Sequence, residues 1–579
     1  MSFEKYKSIW VADFEFRAAP GERPEPVCMV AHEVKSGHTV KLWGEALTSS
    51  QCPYDIGSDS LFVAYYASAE MGCHLALGWS LPINVLDLYA EFRVETNGKR
   101  LVSGNGLLGA LAYYGELGID AMEKDAMREL ILRGGEYNDE ERAAILDYCE
   151  SDVVATVKLL RTMRKALNEQ QRHALALNRG DYTKAVAQME SNGIPLDIEM
   201  LECLRANWSD MQDRLVARVD EHYGVYEGRT FKQARFLDYL QQHEIPWPIL
   251  ASGRPALDDD TFTEQCKAWP QLTPLKELRQ ALNRLRLADL PVGQDGRNRT
   301  MLSMFRSITG RNQPSNSKFI FGLSAWLRSL IKPQPGYGLV YVDWSQQEFG
   351  IAAALSGDER MCQAYLSGDP YLAFAKQAGA APPDATKASH GAIREQYKAC
   401  VLAVQYGMQE ESLGRRSQQP AVYARELLKM HRRTYPTFWR WSDETLDYAL
   451  TKQRLWTVFG WTLHVGSKPN TRSLRNFPMQ ANGAEMLRLA CCLAVDSGIR
   501  VLAPIHDAVL IEVPLDALGE ATAAMQGCMR QASRLVLNGF ELRSDATTVA
   551  FPHRYVDERG SRMWELVNEL LRTDMAATA

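Results

Sequence analysis

At 579 residues the chain is longer than a single hydrophobic core can serve, so several domains are expected, and 46% hydrophobic residues suffice to build them. A formal net charge of −6 excludes a polycation that binds nucleic acid through global charge, and no apolar run of about 18 residues is present to span a membrane as a helix. The N-terminal "MSFEKYKSIWVADFEF" lacks the charged, apolar, small-residue succession of a signal peptide, and the eleven cysteines form no C-x-x-C pair. The chain therefore reads as soluble and cytoplasmic, with reduced thiols, no structural metal and no membrane partner.

The first element is the strand "SIWVADFEF". Across Pro- and Gly-rich turns it is followed by "PVCMVAHEV" and "HTVKLWG", which predicts an antiparallel three-stranded sheet. Asp13 and Glu15 are two apart and share one face of the first strand. Like charges so placed repel unless a cation lies between them, which is the logic of a divalent-metal site. Next, "LFVAYYASAEMGCHLALGWSLPINVLDLYAEF" predicts a strand, a helix carrying Glu70 and a strand-like run ending at Asp87. "NDEERAAILDYCESDVVATVKLLRTM" has apolar residues at helical spacing behind an Asn138/Asp139 start and puts Tyr148 and Asp152 on one face. Singly, each acid reads as a cap or a solvated surface group. Together, D-x-E on the first strand, an acid on a middle helix and Y-x-x-x-D on a late helix resemble the DEDDy class of 3′–5′ exonucleases, which are ribonuclease H-like. The resemblance implies that Asp13, Glu15, Glu70 and Asp152 hold two Mg²⁺ ions, replaceable by Mn²⁺, and that Tyr148 orients the attacking water. That class usually has Asp where this chain has Glu70.

Further on, "LNRGDYTKAVAQMESNGIPLDIEMLECL" predicts a helix, a turn at Gly193 and a second helix. "SGRPALDDDTF" is a further turn, "PLKELRQALNRLRLADL" a long helix with basic residues, and "SITGRNQPSN" a polar loop stiffened at Pro314. Then "LVYVDWSQQEFGIAAALSGD" opens as a buried strand, reaches Asp343 and continues into a small-residue helix with Glu348 near its start. Taken alone, this Asp marks a strand end and a helix cap. In "REQYKACVLAVQYGM", Arg394, Lys398, Leu402 and Tyr406 recur every four residues and form one inclined helical stripe of roughly 18 Å. "VLAPIHDAVLIEV" predicts a hairpin with His506 and Asp507 at its turn. Between Lys387 and Arg440, ten basic residues against four acidic ones interleave with Tyr397, Tyr423, Tyr435, Phe438, Trp439 and Trp441. Such a stretch suits nucleic acid, because bases stack on aromatics while cations neutralise phosphates.

Two aspartates and a cationic helix are what nucleotidyl transfer requires. From about Gln188 to the C-terminus the order of blocks resembles the family A DNA polymerases. "TGR" at Thr309–Arg311 resembles their primer-template contact, "DWSQQEF" their motif A and "HDA" their motif C. "TRSLRNFPMQANGAE" resembles R-x-x-x-N-x-P-x-Q, with Arg472, Asn476 and Gln480 in register. The resemblance implies that Asp343, Asp507 and the carbonyl of Trp344 hold two Mg²⁺ ions with the incoming dNTP. Arg394 and Lys398 would bind its phosphates, Lys398 protonating the leaving pyrophosphate, and Tyr406 would stack near the template base. Glu348 would bar a 2′-OH, Gln346, Leu402 and His506 would complete the dNTP pocket, and Arg311, Arg472, Asn476 and Gln480 would contact primer-template DNA. Two departures stand out: Leu402 replaces an aromatic residue and Ala508 replaces Glu.

The implied architecture is an α/β multidomain chain. A ribonuclease H-like exonuclease domain (1–170) precedes a right-hand polymerase of connecting helices and thumb (171–300), palm (301–360), fingers (361–465) and returning palm (466–579). The implied activity is DNA-directed DNA polymerisation with proofreading, by a monomer. The lack of a 5′ nuclease segment before Asp13 suggests a phage replicase in an infected bacterial cell. The rival readings are a single-subunit RNA polymerase, against which Glu348 argues, and a nuclease with a degenerate polymerase half.

Overall fold

The computed structural model describes residues 3–577 apart from 50, 117–120, 251, 285, 286, 406, 408, 409 and 418. The N-terminal unit is built on a five-stranded sheet of order β3-β2-β1-β4-β5, comprising β1 (Ser8–Arg17), β2 (Glu25–Glu33), β3 (Thr39–Trp43), β4 (Ser60–Ala64) and β5 (Val85–Asp87). The three antiparallel strands anticipated from sequence are present, and β4 and β5 extend them in parallel. Alternation along β1 decides its two faces. Trp10, Ala12 and Phe14 pack with Met71 and Cys73 of helix α1 (Ser68–Ala76), while Ile9 and Val11 pack with Cys149, Val153 and Leu160 of helix α2 (Asp139–Leu167). Asp13 and Glu15 therefore fall on the α2 side. Pairing of β1 with β4 stops at Val11↔Val63, so β1 runs on past its neighbour and leaves a notch beside Asp13. Helix α2 starts where the sequence indicates, with a capping box in which Asn138 and Glu141 satisfy each other's backbone N–H groups.

Helix α3 (Gln170–Asn192) joins the two halves. It lies against β5 so closely that a Cβ at Gly180 would come within 1.9 Å of the Val85 carbonyl oxygen. Its neighbour Arg179 forms a buried ion pair with Glu91 at 2.5 Å and donates to the Phe459 carbonyl at 3.1 Å. After Gly193, with φ of 63°, come α4 (Ile198–Asp220), capped by Asp197, and α5 (Thr273–Arg284). The long basic helix predicted around α5 is shorter than its sequence pattern: a separate 3₁₀ turn follows at Leu287–Asp289.

The second sheet has four antiparallel strands in the order β7-β8-β6-β9: β6 (Tyr337–Trp344), β7 (Arg500–Ile505), β8 (Ala508–Pro514) and β9 (Ser544–Ala550). Between β6 and β7 the chain forms α6 (Gln347–Ser356), α7 (Pro370–Gln377), α8 (Gly391–Gln405), α9 (Ala421–Thr434), α10 (Pro436–Lys452) and α11 (Thr471–Asp496), and α12 (Leu518–Val536) precedes β9. Helices α7 to α10 make an all-helical unit around the rings of Phe374, Tyr397, His431 and Tyr435. Helices α11 and α12 pack together and against the sheet. No helix among the described residues is long and apolar enough to cross a membrane.

Candidate active sites on the palm and N-terminal sheets

Asp343 does not cap a helix. It is the penultimate residue of β6, flanked in register by Ala508 on one side and Asp545 on the other. The N-cap position of α6 is Gln346, in left-handed backbone with φ of 50° and no side-chain cap bond. Asp507 lies in the two-residue turn of the β7–β8 hairpin, not on a strand. His506 beside it takes φ of 57°, a conformation for which His, like Asn and Asp, is enriched. The turn folds back so that the Asp507 carbonyl accepts from the Trp344 amide at 3.3 Å. Burial, then the negative charges of Asp507 and Asp545, push the Asp343 carboxyl up to about 7. Burial also raises Asp507, against the lowering influence of Arg311 and His506. The Asp343 Oδ1 atom is buried without a hydrogen-bond partner among the described residues. A carboxylate so placed calls for a cation.

Glu348, in the first turn of α6, is raised by burial, and hydrogen bonding to Gln480 of α11 and the charge of Arg311 act against that rise. The structure thus gathers Asp343, Glu348, Gln480, His506, Asp507 and Arg311 at one end of the palm sheet. Gln346 accepts from Arg543 at 3.4 Å. Arg472 and Asn476 share a face of α11 with Gln480. They line a cleft of about 360 Å³ toward the helical unit together with Arg425, Lys429 and Arg432.

The cationic stripe of α8 differs from its simple reading. Arg394 is not a waiting cation: it donates to Asp369, the N-cap residue of α7, at 2.5 Å, and to Glu395. Lys398 is partly exposed and 3.7 Å from Glu395, and Leu402 is half-buried one turn further on. Helix α8 ends at Gln405, and Tyr406 lies outside the described residues. Elsewhere in the basic stretch, Arg425 pairs with Glu410, Lys429 with Glu426 and Arg432 with Asp443, so its charge is more balanced locally than its composition suggests.

At the notch of the N-terminal sheet, one ligand atom from each of Asp13, Glu15 and Cys149 lies within 4.8 Å of the others. Glu70 reaches the same place from α1. It is 4% exposed, its Oε2 has no hydrogen-bond partner among the described residues, and burial followed by the charges of Asp13, Asp87 and Asp152 raises its carboxyl well above the usual range. Tyr148 is raised by burial and then by Asp152, Glu15 and Asp13, and it shares a hydrogen bond with Asp152. All five residues singled out from sequence converge here. Two residues escaped that reading, Cys149 at this notch and Asp545 beside Asp343 on the second sheet. Cys149 sits between Tyr148 and Asp152 in "YCESD", where it looks like a core residue, and Asp545 sits in "LRSDATTVA", where nothing marks it.

Across 93% of this chain and 95% of the other, the fold is that of the "POL domain of Pol1 from M. smegmatis complex with DNA primer-template and dNTP", with a TM-score of 0.70 at 19% identity. Residues 308–545 match the model of DNA polymerase family A. A thermostable DNA polymerase I of Thermus thermophilus is 24% identical over 386 residues, 61% of this chain and 45% of that protein. DNA polymerase I of Chloroflexus aurantiacus is 24% identical over 420 residues, 67% of this chain and 44% of that protein. That of Aquifex aeolicus is 23% identical over 438 residues, 68% and 73%. The chain thus spans under half the length of the first two of these relatives.

Proposed function

We propose that the protein is a DNA-directed DNA polymerase that extends a primer 3′-OH with dNTPs on a DNA template. The observation that carries this reading is the apposition of Asp343 and Asp507 at one end of the palm sheet, within the stretch that matches family A. The unpartnered Asp343 Oδ1 fits a divalent cation. Asp343, Asp507 and the Trp344 carbonyl would hold Mg²⁺, with Mn²⁺ as a substitute, which would supply acidification of the 3′-OH and charge neutralisation of the triphosphate. The chain's own groups do the rest. Glu348, fixed by Gln480 and Arg311, sets a carboxylate where a ribose 2′-OH would have to be desolvated against it. Arg394 exchanges Asp369 for a phosphate oxygen, and Lys398 gives a proton to the leaving pyrophosphate. Arg311, Arg472, Asn476 and Gln480 bear on the primer-template.

A second activity rests on its own observation, the convergence of Asp13, Glu15, Glu70, Tyr148 and Asp152 at the notch. We propose that this ribonuclease H-like unit removes mispaired 3′ nucleotides, using divalent cations at those carboxylates. A labelled hairpin primer, matched or mismatched, tests both activities with and without dNTPs. Asp343→Asn abolishes extension and leaves shortening of the mismatched end, whereas Asp13→Ala does the reverse. Extension by Asp343→Asn within about tenfold of wild type, roughly 1.4 kcal/mol of barrier, rejects the polymerase assignment.

A further inference from the structure

We infer that Asp545 is a third carboxylate of the palm metal centre, an inference that rests on the polymerase reading of Asp343 and Asp507. Strand β6 has a neighbour on each side at Asp343: Ala508 on β8, which carries no charge, and Asp545 on β9. Directly opposed residues of antiparallel strands project from the same sheet face with Cβ atoms about 4.5–5.5 Å apart. The register therefore makes the two side chains cross-strand neighbours on one sheet face. Asp545 is the single charged residue of β9, in Ser-Asp-Ala-Thr-Thr-Val-Ala.

Asp545 is exposed and makes no ion pair among the described residues. Ser345 Oγ donates to Asp545 Oδ2 at 2.6 Å, which orients the carboxylate without discharging it. The nearest cation in sequence, Arg543, turns the other way and donates to Gln346, the Tyr365 carbonyl and the Gly368 carbonyl. Arg311 acts on Asp507 and Glu348, and together with Arg328 and Arg559 on His506. Like charges directly opposed on neighbouring strands are destabilising. Such a pair persists at a sheet end where a cation is to be held. The divalent cation fits here for the same reason it fits Asp343 alone, since the buried Asp343 Oδ1 has no hydrogen-bond partner among the described residues. Ala508 leaves the turn side short of a carboxylate, and β9 supplies one from the opposite edge.

The test uses the full chain in an Asp13→Ala background, which silences the N-terminal cluster. Asp545→Asn keeps an acceptor for Ser345 and removes the charge. Mn²⁺ binding is followed by electron paramagnetic resonance with a dideoxy-terminated primer-template and dNTP, and thermal unfolding is run in EDTA and in saturating Mg²⁺. We expect the Mn²⁺ dissociation constant to rise about tenfold or more. The melting temperature in EDTA should rise above the parent's, and the gain on adding Mg²⁺ should shrink. A residue that only braces Ser345 gives the opposite pattern, with unchanged Mn²⁺ affinity and equal or lower melting temperatures in both buffers, and that result overturns the inference. Asp343→Asn separates the two levels. If it weakens Mn²⁺ binding and Asp545→Asn does not, Asp545 alone is excluded; if neither does, the palm metal site itself is wrong.

Discussion

At the end of the second sheet away from Asp343, Arg297 Nη2 donates to both carboxylate oxygens of Glu512 on β8, at 2.6 and 2.7 Å, and neither side chain is more than 3% exposed. Arg297 also donates to the carbonyls of Asn192 and Gly193, so it ties the end of α3 to the strand that follows Asp507. Arg500 lies 3.2 Å from the same carboxylate but is 39% exposed and can turn to water. Glu512→Leu therefore leaves one buried guanidinium without an anion. Removing one partner of such a pair costs about 3–5 kcal/mol, a large share of the roughly 5–15 kcal/mol that holds a domain together. Replacing both partners in Arg297→Met/Glu512→Leu removes the stranded charge. Two backbone carbonyls then lose a donor, at about 1 kcal/mol or more each. The double variant should accordingly lie about 2 kcal/mol below wild type, and above the single variant. Urea unfolding of the three proteins at constant pH measures these differences, with primer extension as a second readout. The far end of β8 is untouched, so the double variant should extend within about tenfold of wild type. A loss under about 1 kcal/mol in Glu512→Leu, or a double variant less stable than the single, refutes the account.

Other outcomes follow from particular contacts. Glu348→Ala should raise the rNTP-to-dNTP ratio of kcat/KM by about tenfold or more, and an unchanged ratio places sugar discrimination elsewhere. Asp369→Asn keeps the cap of α7 while removing the charge that competes for Arg394. The apparent KM for dNTP should therefore fall by about two- to tenfold in steady-state extension, and a rise would show that Asp369 positions Arg394 instead of occupying it. His431 is 1% exposed and held down to about 3 by burial, against 6.5 unfolded. Its contribution is complete above pH 6.5 and is lost as pH falls below it, by about 1.4 kcal/mol per pH unit. His431→Gln should flatten the decline in unfolding free energy between about pH 6.5 and 5, and parallel declines in the two proteins would contradict this. Glu70→Ala should slow shortening of a mismatched primer without altering dNTP incorporation, since its carboxyl faces only the N-terminal cluster; full shortening activity removes it from that site.

The local periodicities of the chain decide a good deal by themselves. Asp13 and Glu15 share a face because a strand repeats every two residues, and Tyr148 and Asp152 because a helix nearly closes in four. The Asn138 start of α2, the Gly193 turn and the hairpin at His506 and Asp507 follow from capping and turn chemistry that acts over a few bonds. What those rules do not contain is who stands opposite whom. Asp343 and Asp545 are adjacent because two strands about 200 residues apart pair in one register out of several, a choice made by the packing of whole sheet faces. Arg394 reads as a free phosphate ligand on its own helix and is an ion pair in the fold, because α7 brings its cap aspartate alongside. Cys149 reads as core until α2 docks on β1 and sets its sulfur beside two carboxylates. The identities of the charged groups were in the sequence, but their neighbours, and hence their electrostatics, came only with the tertiary structure, because Coulomb interaction depends on distance in space and strand register sets that distance without regard to separation along the chain.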